Sequence, residues 1–199
     1  MTRFDHIMIM VSIVIGLGVI KFLTDFGSFI EKAPEISTYP PHTVWTIVTF
    51  ILLVQLWWAI WSYRLILDKK WTYLDYVIVL LAGTFLYMAG ELALPTVKND
   101  PIDLEEYFES VSFSYFLCIS IYLILSLALR RRVRKISLLA GSNLFRFFAL
   151  IIAIAAAGSA AVGLHEEVFH NAFALAGVLS ITVFIWRYNP WRLERQRKP

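Results

Sequence analysis

Lys21, Asp25, Glu91, Glu109 and His170 are ionisable residues within or at the ends of long apolar runs. Ionisable groups inside such runs are costly, so they mark candidate sites for moving protons or ions. Lys21 and Asp25 are four residues apart, which puts them on one helical face where they can pair. A histidine beside carboxylates titrates near neutral pH, which suits proton relay or pH sensing. The expected arrangement is a polar vestibule lined by Asp25, Glu91, Glu109 and His170, with Lys21 as counter-charge. The plainer alternative is that these groups sit at headgroup depth, wet or paired with one another, and hold helix ends together.

Other chemistries have weaker support. Glu166 and His170 share a helical face, so His165, Glu166 and His170 are weak candidates for a divalent metal site. A structural zinc site, however, needs about four fixed ligands. A glutamate near a helix start is also well placed for the positive end of the helix. Haem would need histidines at matching depths on two helices. His6 falls at one membrane surface and His42, His165 and His170 at the other, so no cofactor is expected. There is no GxSxG, HExxH, CxxC or phosphate loop, and no nucleophile sits at catalytic spacing from a base. An enzyme is therefore not expected. The single cysteine, Cys118, excludes an internal disulfide.

The elements that must position these residues are read from hydropathy. The chain has 199 residues, of which 59% are hydrophobic, and its mean hydropathy is +0.67. A water-soluble fold of this length could not bury that much apolar surface. Six apolar segments reach the length of about 20 residues that crosses a bilayer: 5–30, 43–63, 74–95, 104–129, 145–164 and 168–187. Pro40 and Pro41 suit the first turn of the second helix. Asp100 before Pro101, or Asp103 three residues before Glu106, suits the cap of the fourth. In the fifth, Ala153, Ala157 and Ala161 recur every fourth position, which allows close helix packing and predicts a place in the middle of the bundle. Trp45, Tyr76, Tyr87, Phe113, Tyr115 and Tyr122 are expected to pack or to face lipid rather than bind a cofactor.

The basic run at 130–135 sets sidedness. Lysine and arginine accumulate on the cytoplasmic side. Placing this run inside also places there the N-terminus, the 64–70 loop and the tail. With Arg146 and Arg187 at the inner ends of the fifth and sixth segments, that accounts for fifteen of the eighteen basic residues and leaves eleven of the fifteen acidic ones outside or in the outer half. The expected fold is an all-α integral membrane protein: one domain over 1–199, a six-transmembrane-helix bundle, N-in and C-in, with a basic cytoplasmic tail at 188–199. Arg130, Arg131, Arg132, Arg134 and Lys135 are candidates for gripping anionic lipid headgroups. Nothing beside them offers stacking or base-edge recognition, so no nucleic acid is expected as a partner.

Several motifs together carry a resemblance. They are Gly16-Leu17-Gly18, Val54-Gln55-Leu56-Trp57-Trp58, Glu91-Leu92-Ala93-Leu94-Pro95 and Asp103-Leu104-Glu105-Glu106-Tyr107. Over roughly its first 130 residues the chain resembles a diffuse family of small, uncharacterised bacterial inner-membrane proteins. The resemblance implies only a location in the bacterial inner membrane and supplies no catalytic residues. The residues themselves suggest a proton or small-cation channel or transporter, with membrane lipids around it and a homo-oligomeric assembly. The alternatives are a non-catalytic partner or sensor subunit that binds a cytoplasmic protein and, last, a lipid-acting enzyme.

Overall fold

The computed structural model describes residues 3–31, 36–37, 39–63, 71–95, 103–134, 141–163 and 167–187. Within them the chain is helical, with no strand: α1 (Arg3–Glu31), α2 (Pro40–Ser62), α3 (Tyr73–Ala93), α4 (Leu104–Arg134), α5 (Gly141–Ala161) and α6 (Glu167–Arg187). All six expected segments are helices. Four contain stretches long and apolar enough to cross a membrane: Asp5–Glu31, Pro40–Trp61, Tyr73–Ala93 and Leu104–Val133. In lipid a helix is favoured because it satisfies every backbone polar group internally.

Local chemistry sets the helix ends. Pro40 and Pro41 occupy the first turn of α2, where no intrahelical N–H is needed. Thr72 and Asp75 form a reciprocal capping box at the start of α3. At α4, Asp103 accepts from the Glu105 backbone N–H at 2.9 Å and from the Ser37 hydroxyl at 3.1 Å. Ser37 in turn accepts from the Leu104 N–H at 3.1 Å, which ties the preceding segment to the helix start. The Glu105 N–H, followed by Ser37, holds the Asp103 carboxyl below the usual carboxylate range. Beyond α5, Gly163 takes φ 73°, a left-handed position that suits glycine after a helix.

The basic run extends α4 rather than forming a loop: residues 130–134 are its last turn. At 1.5 Å per residue the 31-residue helix is about 46 Å long, more than a hydrocarbon core of about 30 Å, so a polar turn can stand clear of lipid at an end.

The middle of the bundle belongs to α2 and not, as the small-residue pattern predicts, to α5. α2 touches α1, α3, α4 and α6, whereas α5 packs chiefly on α4 and α6. Ala149, Ala153, Ala156 and Ala157 are buried, but Ala161 and Gly163 are exposed. Small residues here allow close approach to a neighbour, which does not require a central position.

Trp45 of α2 lies at the heart of the core. It stacks on Tyr115 with centroids 5.2 Å apart and meets the edges of Phe108 and Phe116 at 4.3 and 4.6 Å. Phe173 of α6 closes the cluster at 5.9 Å. These rings fill the space between α2 and α4, whose backbones approach each other in few places. The outward faces are apolar, as in Ile13, Leu17 and Ile20 of α1, each more than half exposed.

Candidate functional site

α1 and α3 run side by side in the same direction, and this brings three of the expected residues together. Lys21 hydrogen-bonds to Asp25 one turn on and lies 3.6 Å from Glu91 Oε2. Glu91 is on the last turn of α3, so the triad lies toward the α3 C-terminal end of the bundle. Tyr87, one turn earlier on α3, interacts with the Glu91 carboxylate through its hydroxyl. Glu91 is one-third exposed as a side chain, but its Oε1 atom is enclosed and accepts no well-formed hydrogen bond among the described residues. Leaving such an oxygen unsatisfied costs about 1–3 kcal/mol, and more when it is charged.

Glu109 does not join this group. It is exposed on α4 and makes no side-chain hydrogen bond or ion pair among the described residues. His170 lies on α6 with its side chain outside the described positions, and His165 and Glu166 lie outside the described residues altogether. No cluster of three or more metal-ligating side chains occurs among the described residues.

His42, in the first turn of α2, is a site residue whose cover by neighbouring helices its sequence position does not reveal. It is 2% exposed, and neither ring nitrogen has a hydrogen-bond partner among the described residues. Tyr107 meets it edge-on at 6.3 Å and also senses the charges of Asp25 and Glu91. The Tyr107 hydroxyl donates to the carbonyls of Leu92 and Leu94 at 3.3 and 3.4 Å, and Thr46 donates to Ala93 O at 3.2 Å. The last carbonyls of α3 are thus satisfied by side chains of α2 and α4. The missed signal was helical spacing: His42, Trp45, Thr46 and Thr49 share one face.

Polar groups continue along α2 and α4 toward the other end. Thr49 and Tyr115 share a hydrogen bond of 2.8 Å in the core. Further along, Gln55, Tyr63, Tyr122, Ser126 and Arg146 line a cavity of about 10 Å³, near the lower limit for one water. Arg146 Nη1 donates to Ser126 Oγ at 2.7 Å. Arg146 was not singled out by sequence because it lies near the start of its span and counts among the inside charges.

At the basic end, Arg132 Nε donates to Asp75 Oδ1 at 2.9 Å, joining the last turn of α4 to the first of α3. Asp75 is fully buried, and Arg132 is 40% exposed. Arg130 is buried, and Arg131 is exposed. The Arg134 side chain and Lys135 lie outside what is described. Of the five headgroup candidates, Arg132 and Arg130 are thus drawn at least partly into the protein.

The chain matches no family model, and no curated protein or solved structure is similar to it. Function must be argued from the geometry.

Proposed function

We propose that this chain is a polytopic inner-membrane protein of six spans, N-in and C-in, that moves protons across the bilayer, alone or coupled to a small cation. The observation that carries this reading is the enclosed, unpartnered Oε1 of Glu91 beside Lys21 and Asp25. Two carboxylates and one ammonium carry one net negative charge. A proton on Glu91 neutralises the group and supplies the O–H that a buried carboxyl oxygen lacks. A metal cation would first have to displace Lys21, so the geometry favours a proton over a larger ion.

Length and sidedness support extending the four long apolar helices to six spans. α5 and α6 have 21 residues each, about 31 Å at 1.5 Å per residue, although the apolar part of α5 is the shorter stretch Arg146–Ala161. Arg146 is near the inner end of α5, where its bond to Ser126 eases its burial. From Glu91 the proton has a second enclosed acceptor in His42, against whose ring Tyr107 packs edge-on at 6.3 Å. The hydroxyls of Thr49 and Tyr115 and the Gln55–Arg146 cavity continue the polar line inward.

The test is proton uptake into proteoliposomes driven by a potassium diffusion potential and read with an enclosed pH dye. Uptake well above that of empty vesicles supports the reading. Uptake equal to theirs, from protein shown to be folded and inserted, removes it.

A further inference from the structure

Toward the basic end, the small cavity between α2, α4 and α5 has polar walls whose hydrogen-bonding capacity is not used up. Gln55 and Tyr122 both border it and are only 5% and 1% exposed. Neither side chain makes a hydrogen bond among the described residues. Buried polar groups are almost always bonded, so two such groups facing one void call for an occupant. Arg146 reaches the same void from the start of α5 and donates to Ser126 Oγ at 2.7 Å. Ser126 accepts that bond, which leaves its own O–H to donate.

The donor set selects the sign of the occupant. The guanidinium and the hydroxyls of Tyr122 and Ser126 donate, and the Gln55 amide can turn its NH₂ inward. Arg146 carries the charge of the lining, and no carboxylate borders the cavity among the described residues. Arg130 of α4 lies within electrostatic reach of Tyr122, as Arg146 does, so a second positive charge acts on this space. Asp75, at the same end of the bundle, is bonded to Arg132. The wall thus carries one positive charge with no acid to offset it, and a charge within a bundle in lipid calls for a partner. Water would satisfy the dipoles but not the charge.

Size narrows the choice. A volume of about 10 Å³ is close to that of one small sphere, too little for phosphate or sulfate. A halide is slightly larger than water, and a small shift of the half-buried Arg146 side chain makes the difference.

We propose that this cavity binds one halide ion, chloride being the abundant one, held by Arg146, Tyr122 and Gln55. α5 packs chiefly on α4 and α6, so the ion also links it to α2 through Gln55. This binding does not depend on whether the chain moves protons.

The test is a thermal melt of the full chain in mild detergent, with sulfate replaced stepwise by chloride at constant ionic strength. Sulfate is a general stabiliser through exclusion from the protein surface, so a gain on replacing it is specific. Chloride should raise the melting temperature by a few degrees in a saturable way, as a ligand of the folded state does. Arg146→Gln should abolish the rise. Tyr122→Phe, which keeps the packing and removes one donor, should move the midpoint to about tenfold higher chloride. If Arg146→Gln does not fold, Tyr122→Phe decides alone. No saturable rise in the wild type would mean that the cavity holds water only and overturns the proposal. A rise with the wild-type midpoint in Tyr122→Phe places the ion elsewhere and overturns it too.

Discussion

Lys21 Nζ lies 3.6 Å from Glu91 Oε2 while bonded to Asp25 on its own helix, so one ammonium serves two carboxylates from two helices. This ties the end of α3 to α1. Lys21 is 41% exposed, so the inter-helix pair is screened and contributes modestly. A double-mutant cycle of Lys21→Met and Glu91→Gln, read by unfolding in mild detergent, should give a coupling of about 0.5–1 kcal/mol. A coupling near zero would mean that the pair has no energetic content.

The Asp75–Arg132 bond belongs to a different class, because Asp75 is fully buried. Removing one partner of a buried pair typically costs about 3–5 kcal/mol, since the other is left uncompensated. Arg132→Met should therefore destabilise the bundle more than Arg131→Met, which removes an exposed charge and should change stability by less than about 0.5 kcal/mol. Equal losses would contradict the assignment of Arg132 as the partner of Asp75.

The cap at Asp103 predicts a pH dependence. Its carboxyl is held below the usual range by the Glu105 N–H and Ser37, so the folded state binds the proton less readily than the unfolded chain does. The stabilisation is complete above the unfolded value, about 3.9. It is lost as pH falls through the lower folded value. Hydrogen exchange of the first-turn amides of α4 should accelerate in that acid window relative to an amide with no titrating cap. Asp103→Asn should abolish this dependence while keeping an acceptor, and an unchanged profile in that variant would assign the effect elsewhere.

Gly177 of α6 packs against Val48 of α2 so closely that an added Cβ would lie 2.8 Å from Val48 Cγ1. Val48 is β-branched and has little freedom to turn away. Gly177→Ala should cost about 1–3 kcal/mol by overpacking, and Val48→Ala in the same chain should recover part of it. A thermal melt in detergent checks both, and a neutral Gly177→Ala would place α6 farther from α2.

Sequence reading reached furthest where the cause is local. Lys21 and Asp25 pair because they are four apart, Pro40 and Pro41 open α2, and Asp103 caps α4. Each of these depends on residues within one helical turn. Hydropathy gives depth along a helix but not which neighbour a face meets. Glu91 could thus be placed near an end, yet its meeting with Lys21 depends on α1 and α3 lying side by side. Glu109, at similar depth, faces outward instead. His42 lies near the end of α2, and depth alone does not reveal that Tyr107 and Phe108 of α4 cover it. The alanines of α5 signal close packing without saying how many helices take part, and α2 holds the centre by means of the large Trp45.

The most direct measurement is the proton uptake rate of Glu91→Gln in proteoliposomes, compared with wild type at equal protein and equal helical content. Glutamine keeps the shape of Glu91 but cannot exchange a proton at that oxygen. The account predicts a fall of at least about tenfold, corresponding to a barrier raised by about 1.4 kcal/mol. A Glu91→Gln protein that moves protons at the wild-type rate would contradict it.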